Sequence, residues 1–222
     1  MKRSGISHSI ISVVVAIAVT VIILAISFSC AAKKLTFETT FYFICYRTED
    51  NAVSASSISG VVSSYGGAGY ILEYGDAYYV TVACYYEEKE ADAICQSLKH
   101  RDLNCEVLKI STDEYTVASV AADIKLYLGN LNTLQALTTL AYSCANALDT
   151  GEYGQTQAKS VINDIKNTLN GLLISNPDNC FSEEIRRLIA ECSDASEGYV
   201  YSKDLRRLQI AIADSVINVK LV

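Results

Sequence analysis

This sequence is poor in several residues that carry chemistry. Its 222 residues include one proline, no tryptophan and two histidines. A single proline removes the commonest interruption of helices, so a helix-rich chain is expected. Two histidines leave little scope for a nucleophile, which needs a base within hydrogen-bonding reach. His8 lies in an apolar N-terminal stretch. His100 sits between Lys99 and Arg101 at an expected helix end, where a solvated, dipole-stabilising imidazole is the ordinary outcome. No C-x-x-C occurs among the eight dispersed cysteines, which argues against a structural zinc site. Gly66-Gly67-Ala68-Gly69 has no following lysine and opens a strand, so it is no phosphate loop. Bases are also scarce. The first 34 residues hold four bases and no acids, leaving 14 bases against 25 acids in the remainder. Such a body is a poor partner for nucleic acid, which is bound mainly through its phosphates.

Acids are abundant, as Glu49/Asp50, Glu87/Glu88, Asp113/Glu114 and Glu183/Glu184. All fall near expected helix starts, where carboxylates stabilise the helix dipole. A protein that is not an enzyme, with no cofactor and no metal, is therefore expected. The cysteines read mainly as small buried apolar residues. Two pairs are candidates for closer contact, Cys45 with Cys84 and, more weakly, Cys95 with Cys105.

What is present divides the chain into three parts: 1–34, 35–110 and 111–222. Ser4 to Ala32 is uncharged, bracketed by Lys2-Arg3 and Lys33-Lys34, and long enough to span a bilayer core as a helix. A single-pass cell-membrane anchor is expected, with the body outside the cytoplasm. Two bases flank each side, so orientation rests on the free amino terminus. Ser27-Phe28-Ser29 also passes as a cleavage site, Cys30 as a lipidation site, and the stretch as a buried soluble helix.

From Phe41 to Ile110 the periodicity predicts strand, helix, strand, strand, helix, strand. A self-similarity organises this part. Phe41, Phe43, Cys45, Tyr46, Glu49 and Ala52 correspond to Val80, Val82, Cys84, Tyr85, Glu88 and Ala91, 39 residues on. The Gly75-Asp76 hairpin and right-handed crossovers favour a four-stranded antiparallel sheet with both helices on one face. If Phe41, Phe43, Val80 and Val82 face those helices, Tyr42, Ile44, Tyr79 and Thr81 face the other way. Tyrosines on an open sheet face suit stacking on sugar rings. The alternative is that the C-terminal helices cover that face.

Beyond it, Ser111-x-x-Glu114 reads as a capping box opening a helical region. Val117 to Leu148 runs at helical spacing, with a bend expected at Gly129-Asn130. Val161 to Leu172 marks a second helix, and Ser182 and Ser202 are expected to cap a third and fourth. Together they predict an antiparallel helical bundle.

The strands FYFICY and VTVACY, each followed by an acidic, alanine-bearing helix, make the 41–110 region resemble a SPOR (sporulation-related repeat) domain. That family repeats a V-x-V-G-x-F-like strand. Here Ile44 and Ala83 stand for its glycine, Tyr46 and Tyr85 for its phenylalanine. The resemblance implies a ferredoxin-like βαββαβ fold that binds peptidoglycan glycan strands at division or sporulation septa, with Tyr42, Tyr79 and Thr81 as glycan contacts. It implies a cell-envelope protein tethered to the membrane by its N-terminal helix. Two functions of different kind are thus expected. One is glycan binding that localises the protein to sites of wall remodelling. The other is a non-catalytic assembly subunit whose two halves contact a protein partner or another copy.

Overall fold

The structure, a computed structural model, describes residues 33–117, 121–175 and 180–219. Strand β1 (Lys33–Glu49) leads to α1 (Ala52–Ser64), β2 (Tyr70–Tyr74), β3 (Ala77–Tyr85), α2 (Glu88–Lys99) and β4 (Glu106–Val117). Four more helices follow: α3 (Ala121–Asp149), α4 (Gln155–Ser175), α5 (Ser182–Ser196) and α6 (Ser202–Asn218). The sheet is antiparallel throughout, in the order β2-β3-β1-β4.

The expected fold class opened with a transmembrane helix, and this is corrected. Residues 1–32 lie outside the described residues, and among the described residues no helix is long and apolar enough to cross a membrane. The chain from Lys33 is instead a strand, paired with the far end of β4 through Lys33 opposite Val117. Leu35, Phe37, Thr39, Phe41, Phe43 and Cys45 are all buried, an unbroken alternation over one face of β1. The Ser111-Glu114 capping box is likewise corrected, because Ser111 and Glu114 pair within the sheet, opposite Thr40 and Thr36. Thr112 explains the local choice of strand. Its hydroxyl donates to the Phe37 carbonyl at 2.9 Å and accepts the Thr39 N–H at 3.2 Å, bridging a register shift in β1. Helix α3 runs through Gly129-Asn130 as one 29-residue helix. Ser182 and Ser202 are first-turn residues, and the caps are Phe181 and Tyr201.

α1 and α2 lie on one face of the sheet, and the C-terminal helices lie on the other. α6 is the centre of the second layer. Leu208 to Ala213 are all buried, the pattern of a helix enclosed on every side. It packs between α3 and α5 while touching β2, β3 and β4. One apolar core therefore joins Phe41, Phe43, Leu72 and Ile110 of the sheet to Leu131, Ile165, Leu188 and Ile212 of the helices. Polar bonds fix this layer contact. Gln209 Nε2 donates to the Cys84 carbonyl at 2.9 Å, and the Tyr115 hydroxyl donates to the Val216 carbonyl at 2.7 Å.

Candidate functional site

The register decides which side chains share a face. β1 and β3 pair Phe43 with Cys84 and Ile44 with Ala83, then Cys45 with Thr81, skipping Val82. A second shift skips Tyr46 between Cys45–Thr81 and Arg47–Val80. A bulge of this kind breaks the alternation and turns side chains aside. Val82 and Ala83 consequently both pack toward α1 and α2, and Cys84 turns to the C-terminal helices.

The three residues expected on one open face are separated by this phase change, and that expectation is corrected. Tyr42 lies on the α2 side of the sheet, half-buried, with Lys109 Nζ 5.6 Å from its ring centre. Tyr79 lies half-buried against the C-terminal helices. Thr81 is 0% exposed, and its hydroxyl donates to the Tyr70 carbonyl at 2.8 Å. Phe41 and Phe43 face the C-terminal helices, not α1 and α2. The sheet face opposite α1 and α2 is covered.

Two other features concentrate exposed chemistry. The first is a polar cluster where β2 meets α5 and α6. Arg187 donates from Nε to Glu184 at 3.0 Å, from Nη1 to the Tyr70 hydroxyl at 2.8 Å and from Nη2 to Ser215 at 2.9 Å. Tyr70 in turn donates to Asp214, whose other oxygen accepts from Asn218 at 2.6 Å. Burial pushes both the Tyr70 hydroxyl and the Asp214 carboxyl above their ordinary values. The cluster borders a cavity of about 490 Å³. A tyrosine held protonated and already donating to a carboxylate is a poor proton acceptor. The cluster therefore reads as a strut that ties the edge strand to two helices. Tyr70, Arg187 and Asp214 are 117 and 27 residues apart in sequence, and no local pattern brings them together.

The second feature is an apolar groove of about 160 Å³ between α1, α2 and the sheet. Tyr46 and Val82, the two residues skipped by the register shifts, line it together with Val61, Tyr65 and Leu98. On its rim, at the C-terminal end of α1, Val61 and the cap residue Tyr65 are 48% and 81% exposed. Spaced by four, these two are neighbours on one side of the helix end. α1 carries no charged residue, while Lys99, His100 and Arg101 follow Leu98 as exposed residues. Helix α1 was legible from the sequence, but its serines hid this pair. Among the described residues no cluster of His, Cys, Asp and Glu is placed to hold a metal ion. The paired carboxylates Glu87 and Glu88 are exposed at the start of α2, as dipole-stabilising acids would be.

In comparisons with known proteins the chain matches no family model, no curated protein and no solved structure.

Proposed function

We propose that this protein is a non-catalytic assembly subunit whose groove between α1 and α2 takes an apolar segment of a protein partner. The observation that carries this reading is the exposed pair Val61 and Tyr65 on the rim of a groove lined by Tyr46, Val82 and Leu98. Contiguous exposed apolar surface of this kind marks interaction sites more often than isolated exposed residues do. The basic run Lys99-His100-Arg101 at one end favours a segment with an acidic residue beside its apolar anchors. A sugar site on the sheet is not carried forward, because Thr81 is buried with its hydroxyl on the Tyr70 carbonyl and Tyr79 packs against the C-terminal helices.

The test is site-specific photocrosslinking in the cells that make the protein. A photoreactive phenylalanine replaces Val61 in one variant and Glu73, on β2, in another. The reading expects one discrete adduct with a different polypeptide from position 61, lost when Leu98→Glu is added, and none from position 73. No adduct from position 61 would sink it, and an adduct of twice the chain mass would assign the groove to a second copy. Purified wall sacculi provide the opposing arm. Co-sedimentation weakened by Tyr42→Ala with Tyr79→Ala would restore the glycan reading.

A further inference from the structure

Cys95 lies in the third turn of α2 and Cys105 immediately precedes β4, ten residues on. Their sulfurs are 2.9 Å apart. Each thiol is also 3.3 Å from the other residue's carbonyl oxygen, so the two side chains interlock. The intervening turn is closed by its own backbone bonds, His100 N–H to Gln96 O and Leu103 N–H to Leu98 O. The pair is 3% and 5% exposed, and Cys105 forms part of the floor of the α1–α2 groove, which is open to solvent. The other candidate pair lacks this geometry. The register sets Cys84 opposite Phe43 and Cys45 opposite Thr81.

We propose that Cys95 and Cys105 are a modification site, a dithiol that closes to an intrachain disulfide by exchange with a small-molecule disulfide such as oxidised glutathione. The Cys105 thiolate attacks one sulfur of the oxidant and expels a glutathione thiolate, leaving a mixed disulfide on Cys105. Cys95, passing its proton to a departing thiolate, then attacks the Cys105 sulfur and expels the second glutathione. Two protein thiols are oxidised, and one glutathione disulfide is reduced to two thiols. Burial, followed by the contact with Cys95, pushes the Cys105 thiol up to about 12. Exchange is therefore slow at neutral pH and quickens about tenfold per pH unit below that value. The product joins the C-terminal half of α2 to the residue immediately before the last strand, whatever the groove binds.

The test uses the full chain, reduced and then incubated with oxidised glutathione at pH 7 and pH 9. The reaction is quenched by N-ethylmaleimide in denaturant. Trypsin releases residues 90–99 and 102–109 as separate peptides, each with one of the two cysteines. The expected result is one linked species of these two peptides, two hydrogens lighter than their sum, formed faster at pH 9. In Cys105→Ser that species is absent and Cys95 is recovered as a maleimide adduct. Recovery of both peptides as separate maleimide adducts from oxidised wild-type chain would overturn the proposal, as would linkage of either one to the Cys45 peptide.

Discussion

Two glycines provide a controlled measurement of how tightly α1 is seated on the sheet. Gly69 and Gly75 have almost the same left-handed backbone, with φ of +58° and +62°. Their surroundings differ. A Cβ on Gly69 would lie 2.6 Å from the Ser59 carbonyl oxygen and 3.1 Å from Ser63 Cβ, whereas one on Gly75 would meet nothing within 4 Å. Alanine in the left-handed region costs about 1–2 kcal/mol. Its stiffer unfolded chain returns about 0.4–1 kcal/mol. Gly75→Ala should therefore destabilise by about 1 kcal/mol. Gly69→Ala carries the same conformational cost plus an overpacking cost of about 1–3 kcal/mol. The upper part of that range applies, because the obstacle at Ser59 is backbone and cannot swing away. The substitution also disturbs the Gly69 carbonyl, which accepts from the Ser59 hydroxyl and, at 3.5 Å, from Arg207. We expect about 3–4 kcal/mol in all. Urea titrations followed by far-ultraviolet circular dichroism, with equal slopes for the three proteins, give the difference directly. Equal losses for the two variants, within about 0.5 kcal/mol, would refute the close approach of α1 to the Gly69 turn.

The remaining predictions concern the layers and the thiols. A fragment covering residues 33–117 should fail to give a dispersed amide spectrum, because it bares Leu35, Phe37, Phe41, Phe43, Leu72 and Ile110. A folded fragment would show that the helices are dispensable to the sheet. Stability should fall as pH rises above about 8.5, the ordinary thiol value. Burial pushes the thiols of Cys45, Cys84 and Cys192 up, the last to about 12, so the folded chain keeps protons that the unfolded chain releases. Each such thiol contributes a slope of up to about 1.4 kcal/mol per pH unit, lost progressively through that window. Cys192→Ala should make the curve shallower by one thiol between pH 8.5 and 10, whatever it does to absolute stability, and an unchanged slope would contradict the assignment. Oxidising the Cys95–Cys105 pair closes a short loop and should stabilise by about 2–3 kcal/mol on loop entropy. Comparing urea midpoints of the oxidised and reduced chains checks this, and a lower midpoint after oxidation would contradict it.

Much of the element order could be read directly from the chain. Period-two alternation located β1 around Phe41–Cys45 and β3 around Val80–Cys84, and the acidic start of α2 was visible at Glu87–Glu88. The lengths were less legible. Leu35, Phe37 and Thr39 continue the β1 alternation, yet they follow a long apolar run and so read as the end of a different segment. At Ser111–Glu114 a helix-capping pattern competed with strand pairing, and the long partner strand prevailed because Ser111, Thr112 and Glu114 to Val117 each meet a partner in β1. In α6 the run Ile210-Ala211-Ile212-Ala213 is the sign of a fully enclosed helix. An amphipathic reading of Leu205, Leu208, Ile212 and Val216 passes over it.

The facing of the sheet was the illegible part, and the reason is local. Two copies of a repeat imply that equivalent residues face the same way. Cys45 and Cys84 obey this, since both contact the C-terminal helices. Phe43 and Val82 do not, because the pairing passes from Ile44–Ala83 to Cys45–Thr81 and omits Val82. A single-residue slip exchanges the two faces of a strand. No composition or periodicity signal marks such a slip within six residues of β-branched, aromatic and small side chains. The same slip that removes Tyr42 from the Tyr79–Thr81 face leaves Val82 beside Tyr46 under α1, where the two line the groove. The site lost from one face and the surface gained on the other are thus consequences of one irregularity. A variant that deletes Val82 should therefore disturb one layer and spare the other: Thr81, Ala83 and Cys84 would keep Cys45, Ile44 and Phe43 as partners in strict alternation, so Thr81 and Tyr79 stay in phase with α6 while the groove loses one wall.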